Sequence, residues 1–252
     1  MTQAEAGTVI QPPARDPQTS QLLWNLVSTA LLAGLLWVRM GWIWALAGVV
    51  GVFVHEYGHV LAMNALGSGP ARIRIVPFLG GAAIPRTPPS TEFKGVLIAL
   101  AGPVFGLLAM APFFIAYAYT GQEVWLEGAF FVAVINLLNL APAPPLDGSK
   151  ALGPALARIH PLLERAALVV VGALAVLWAL DTHNIILGVF IGLGTLGALR
   201  QGRLRPSAVP LSWPQLVAAL GLYAAALGVC FAALSFALRG HGVDYLLRMF
   251  GG

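Results

Sequence analysis

The sequence is short of charge. Charged residues make up 10% of the chain, 14 Lys and Arg against 10 Asp and Glu, where a soluble domain carries about 25%. Apolar residues make up 58%, and such a composition cannot cover a soluble globule with polar surface. Cysteine is nearly absent. Cys230 stands alone, which rules out an internal disulfide and a cysteine-based metal site. The formal charge of +4 needs no nucleic acid to explain it. Also missing is a short basic segment followed by an apolar stretch and a small-residue cleavage site, so no cleaved signal peptide is expected.

What the chain has instead is long apolar runs. A helix crosses the hydrocarbon in about 20 residues. Windows of that kind fall near 22–38, 42–66, 95–118, 124–141, 165–180, 184–199 and 212–237. The expected fold class is therefore an all-α polytopic membrane protein with about seven transmembrane helices, or six if the two short windows around the polar break Asp181-Thr182-His183-Asn184 do not both cross. Residues 1–21, polar and Pro-rich, read as a disordered tail, and 22–252 as one transmembrane domain.

Seven alternating spans sort the cations sharply. The amino-terminus and the even-numbered loops collect Arg15, Arg72, Arg74, Arg86, Lys94, Lys150, Arg158, Arg165, Arg200, Arg203 and Arg205. The other side has Arg39, Arg239 and Arg248. This positive-inside bias predicts a cytoplasmic amino-terminus. The compact size points to a prokaryotic inner membrane.

Within the second window lies His55-Glu56-Tyr57-Gly58-His59. On a helix, residues four apart share a face, so both imidazoles reach one ion. Glu56 sits beside them, placed to act on water as a base without being a ligand. The pentad falls on the order of 10–17 Å from the cytoplasmic end of its span at 1.5 Å per residue. The metal is thus expected below the surface, in the cytoplasmic half.

A catalytic zinc needs a third protein ligand. His160, His183 and His241 read as loop or terminal histidines. Glu123, Glu127 and Asp181 fall on the wrong side of the membrane. Asp147 follows the fourth window on the right side, in Asn139-Leu140-Ala141-Pro142-Ala143-Pro144-Pro145-Leu146-Asp147-Gly148. Three prolines in four residues force an extended path, and non-helical backbone at membrane depth belongs where protein buries it or water reaches it. Asp147 is the candidate ligand; the competing reading is an Asp-Gly turn that ends a loop. Asn136 and Asn139 share a face near the end of that helix. Interhelical hydrogen bonding is one role for them, and for Asn139 donation to an oxyanion is another.

Between the second and third windows, Arg72-Ile73-Arg74-Ile75-Val76 alternates as a strand does, and Gly80-Gly81 is placed to turn a hairpin. In the third window, Ala101-Gly102-Pro103-Val104-Phe105-Gly106 indicates close helix packing.

The pentad and the later Asn139-x-x-Pro142-x-Pro144-x-x-Asp147-Gly148 together resemble the site-2 proteases, intramembrane zinc metalloproteases. Gly102-Pro103 resembles that family's small-residue motif in the helix between. The resemblance covers residues 42–150, the family's three-helix catalytic core, and leaves 165–252 as additional spans. It implies one Zn2+ per chain held by His55, His59 and Asp147, with Glu56 as base and Asn139 holding substrate or oxyanion. It also implies that the hairpin at 72–84 is a membrane-associated β element able to pair with an unwound substrate. The partners implied are the lipid bilayer and a single-span membrane protein, of which a membrane-held transcription regulator is one kind. Many members carry a PDZ or CBS domain; no soluble insertion here exceeds a few tens of residues, so a compact form is expected. Two other classes compete. One is a metal transporter or channel, which has no need of Glu56. The other is a catalytically silent relative that binds membrane segments, in which a damaged ligand set would be expected.

Overall fold

In a computed structural model of the chain, residues 17–76, 80–183, 185–200 and 208–238 are described. The elements run α1 (Pro17–Met40), α2 (Trp42–Ala65), β1 (Arg72–Val76), β2 (Gly80–Ile84), α3 (Glu92–Gly106), a 3-10 turn (Leu107–Met110), α4 (Ala111–Thr120), α5 (Val124–Asn139), α6 (Asp147–Ile159), α7 (Pro161–Asp181), α8 (Ile185–Arg200) and α9 (Trp213–Ala237). Five stretches are long and apolar enough to cross a membrane: Gln21–Met40, Trp42–Ala65, Glu92–Thr120, Pro161–Asp181 and Trp213–Ala237. Val124–Asn139 and Gly188–Arg200 are apolar but shorter. The chain has the build of a helical membrane protein with a two-stranded sheet.

Local chemistry sets the boundaries. Gly41, at φ 103°, separates α1 from α2, and Gly121, at φ 65°, ends α4 in the left-handed region that glycine tolerates best. Thr91 accepts from Lys94 N–H to open α3. Ser212 and Gln215 form a reciprocal capping box at α9.

α2 is the central helix, packed against α1, α3, α5 and the hairpin. Its small residues permit that crowding. A Cβ on Gly58 would lie 2.6 Å from both Ala101 O and Phe105 Cβ, so α2 and α3 cross nearly backbone to backbone. Toward one end, Ile43, Trp44, Phe113, Phe130 and Ala133 form an apolar core. A second core joins Val96, Leu140, Ala151, Leu216 and Cys230 across α3, α6 and α9. At the hairpin's end of the bundle, Lys94 Nζ donates to Leu66 O at 3.0 Å and Glu92 N–H to Val209 O at 2.9 Å. The end of α2 and the starts of α3 and α9 therefore meet.

Three sequence expectations change. Residues 1–16 lie outside the described residues, but α1 already begins at Pro17, so the end of the 1–21 stretch is helical. Gly80-Gly81 does not turn the hairpin. Both glycines belong to β2, paired with Val76 and Ile75, and the connection falls on 77–79, outside the described residues. The third change is α6, a helix in place of the expected loop. Its buried side comprises Asp147, Gly148, Ala151, Gly153, Pro154 and Ala155, and Gly153-Pro154 punctuates the sequence as a loop does.

The proline segment between α5 and α6 is pinned from α9. Tyr223 O–H donates to Leu140 O, satisfying a carbonyl freed where the helix stops. Tyr223→Phe is expected to lower stability by about 1–2 kcal/mol, because it leaves that buried carbonyl unpaired. Reversible unfolding in mixed micelles measures it; unchanged stability would show that Tyr223 does not pin the segment.

Candidate metal centre

His55, His59 and Asp147 are buried together, 3%, 5% and 5% exposed. Their ligand atoms converge. His55 Nε2 and His59 Nε2 each lie 3.0 Å from Asp147 Oδ2, and 3.1 Å from one another. The two rings stand nearly perpendicular, at 81°.

Each imidazole is oriented from behind. His55 Nδ1 lies 2.9 Å from Asn136 Oδ1, and the Asn136 amide is fixed by donating to Val132 O. His59 Nδ1 lies 2.7 Å from Ile98 O. A carbonyl oxygen only accepts, so both rings carry their proton on Nδ1. In the neutral tautomers both Nε2 lone pairs then face the same carboxylate oxygen. Three electron-pair donors at such distances repel unless a cation stands between them. Tetrahedral zinc, with bonds of about 2.0–2.1 Å, sets its ligand atoms about 3.3 Å apart, a few tenths of an ångström wider than here. The three residues lie close enough to hold a metal ion. Lys150 Nζ takes the other carboxylate oxygen, 3.1 Å from Asp147 Oδ1, which leaves Oδ2 for the shared point.

Asp147 arrives there by the route its sequence suggests. The prolines end α5, and the chain folds back so tightly that a Cβ on Gly148 would strike Leu140 and Ala141 carbonyls. Asp147 then opens α6 rather than closing a loop. The Asp-Gly pair is a helix start.

Glu56 is next to the pair and 6% exposed. Its Oε2 is buried without a hydrogen-bond partner. Facing it is β2: a Cβ on Gly81 would lie 2.8 Å from Glu56 Cδ and 2.9 Å from Oε1. A cavity of about 750 Å³ opens here, lined by His55, His59, Asp147, Glu56, β2 and Asn139 among others. α8 also lines it, through Phe190, Leu193 and Gly194. Asn139 donates one N–H to Ile135 O at 2.9 Å and reaches the cavity without touching the ligands.

Other candidates stand apart. His160 is exposed and accepts from Leu162 N–H at the start of α7. His183 is exposed beside Asp181 O, and His241 lies outside the described residues. Glu127 accepts from Trp44 Nε1, in the other core.

Three contributors do more than their sequence pattern suggests. Asn136, which reads as interhelical glue, holds His55. Gly102, which reads as a packing residue, leaves room for the imidazoles: a Cβ there would lie 2.8 Å from His55 Nε2 and closer still to His59. Gly106 does the same for the Asn136 amide. The spacing of Gly102 and Gly106, four apart on one helix face, is the signal that could have found them.

No family model matches the chain, and no curated protein or solved structure matches it either.

Two outcomes follow from this geometry. Asn136→Leu removes the acceptor behind His55 and is expected to weaken metal affinity about 10–100-fold, while Asn136→Asp keeps it; chelator competition reads both. Gly102→Ala is expected to abolish metal binding. Gly95→Ala, on the same helix where a Cβ meets nothing within 4 Å, is expected to bind metal normally. Equal affinity in the two alanine variants would overturn the role given to Gly102.

Proposed function

We propose that this chain is a compact intramembrane zinc metalloendopeptidase of the site-2 protease type. It would hydrolyse a peptide bond within the transmembrane segment of a single-span membrane protein, with membrane-held transcription regulators as one such class. The observation that carries this reading is the orphaned Glu56 carboxylate oxygen beside a buried two-histidine, one-aspartate cluster. A transit site for ions has no use for a base that is not a ligand. A silent binding protein has no use for an intact ligand set.

Zinc fits the donors: two imidazoles and a monodentate carboxylate are its usual company at a hydrolytic site, with a fourth position left open. When bound, it supplies Lewis acidity to water and to the scissile carbonyl. The remaining work falls to the chain. Glu56 Oε2 takes a proton from the attacking water as its oxygen bonds to the carbonyl carbon. Glu56 then returns that proton to the amine nitrogen as the C–N bond breaks. The second N–H of Asn139 is available to the oxyanion. His55 and His59 keep their Nδ1 protons on Asn136 and Ile98, so neither ring competes for the travelling proton.

A helical substrate has its carbonyls bonded internally and must unwind before attack. The free edge of β2 beside Glu56 supports strand pairing as the way the unwound segment is held. Orientation follows the same reading. Arg72 and Arg74 are exposed on the hairpin, and Lys94 and Lys150 lie at its end of the bundle, so this end and the amino-terminus are assigned to the cytoplasm. About seven crossings, counting α5 and α8, complete that topology.

The test is cleavage of a tagged single-span helix by purified wild type beside Glu56→Gln, with bound zinc quantified in both. Cutting by wild type alone at equal zinc is the expected outcome, with at least a thousandfold loss, roughly 4 kcal/mol of barrier lowering, in the variant. Retained cutting by Glu56→Gln would remove the base assignment. Zinc in both proteins and cutting in neither would favour the silent binder.

A further inference from the structure

The hairpin has two edges, and they are treated differently. The outer edge of β1 lies against α1. Asn25 Nδ2 donates to Ile73 O at 3.2 Å, and Ile75 N–H donates to Asn25 Oδ1 at 3.1 Å. Trp24 Nε1 donates to Ile75 O at 3.1 Å. A carboxamide offers the same donor and acceptor as a peptide group. Asn25 thus occupies β1 as one residue of a third strand would.

The consequence reaches β2. Alternate residues of a strand turn their backbone groups to the same side. Ile73 and Ile75 turn toward α1, so their register partners Ala83 and Gly81 turn theirs away from β1. Those groups have no partner among the described residues, and both residues line the cavity beside Glu56. Gly81 has no side chain and Ala83 only a methyl, so neither walls off the base.

The ordinary account of Asn25 is a polar residue in an apolar helix that finds whatever partner is near. Asn139 meets that need by bonding back to Ile135 O in its own helix. Asn25 instead spends both ends of its amide on one strand edge about 50 residues away, and its neighbour Trp24 adds a third bond to the same edge. That pattern is a clamp.

We propose that Asn25, with Trp24, is a positioning residue that closes the β1 edge and holds the hairpin over Glu56, leaving the Gly81–Ala83 edge to receive an unwound substrate strand. The identity of the occupant rests on the protease reading; the clamp does not.

Site-resolved amide exchange on the full, zinc-loaded chain tests both halves. In wild type, Ile75 N–H is expected to exchange slowly, and Gly81 and Ala83 N–H fast. Asn25→Leu should speed exchange at Ile75 about fivefold or more, the effect of one lost hydrogen bond. Asn25→Asp keeps the acceptor and should leave Ile75 protected. Adding a synthetic apolar peptide of about 20 residues with a central Gly-Ala-Gly to Glu56→Gln should slow Gly81 and Ala83. For cleavage, Asn25→Leu should raise KM and spread the cut over neighbouring bonds at unchanged bound zinc, which a simple loss of stability would not do.

Fast exchange at Ile75 in wild type overturns the clamp, and that measurement needs no variant to fold. Peptide protection on β1, or none on β2, overturns the choice of edge. A wild type that never cuts removes the protease reading, while the Ile75 result still decides the clamp.

Discussion

Two imidazole lone pairs and a carboxylate oxygen meet at one buried point, and the surrounding structure is arranged so that they must. Burying an uncompensated carboxylate costs several kcal/mol. An apolar bundle therefore tolerates Asp147 only if positive charge meets it. Lys150 supplies that charge to Oδ1, and Oδ2 is left to the two histidines. Asn136 and the Ile98 carbonyl hold the Nδ1 protons, which prevents either ring from rotating to relieve the repulsion. Gly102 removes the side chain that would fill the space. Each of these features alone has an ordinary packing explanation. Together they hold three ligand-type atoms close enough to hold a metal ion.

The second constraint is non-helical backbone inside an apolar protein. Every N–H and C=O in such surroundings must find a partner or water. The proline segment meets this by having few N–H groups and by turning the Leu140 carbonyl to Tyr223. The hairpin meets it on one edge through Asn25 and Trp24, and on the other only by facing the cavity. The unpaired edge of the hairpin and the unpaired oxygen of Glu56 look into the same space. In a stability-driven structure such groups would be the first to be satisfied, and their coincidence is what supports the proposed substrate site.

Much of this is legible in the sequence, for physical reasons. Four-residue spacing fixes a shared helix face, so spacing alone pairs His55 with His59. Three prolines in four residues do not continue a helix, which separates Asp147 from the span that precedes it, and alternating spans place it on the side of the pentad. What the sequence conceals has one common cause: small residues carry weak patterns. α6 is hidden because Gly148, Gly153 and Pro154 punctuate it as a loop would be. Gly80-Gly81 suggests a turn because glycine favours turns, yet here its lack of a side chain serves a strand lying against Glu56. Gly102 suggests close helix packing, which is present, but its nearest neighbours are the two imidazoles. Asn136 is ambiguous because an asparagine in an apolar helix can bond to many partners, and only tertiary contacts choose among them. In each case a missing side chain or an adaptable amide is defined by what stands opposite, which a linear pattern does not record.

Buried polarity is unevenly distributed. Among the described residues, the buried polar and charged side chains are Ser28, His55, Glu56, His59, Ser68, Asn136, Asp147 and Glu164. Five of these eight, His55, Glu56, His59, Asn136 and Asp147, belong to a single cluster. Polar residues that serve as helix glue return on the order of 1 kcal/mol each and gain nothing from being gathered. Gathering them raises mutual repulsion and desolvation cost, and a charge-poor chain has few such residues to place. Stability alone would disperse them along the α2–α3 and α2–α5 interfaces. The proposed site would require such a concentration, with ligands, ligand holders and a base within one small volume, and Glu56, with its oxygen left unbonded, is the member that packing explains least.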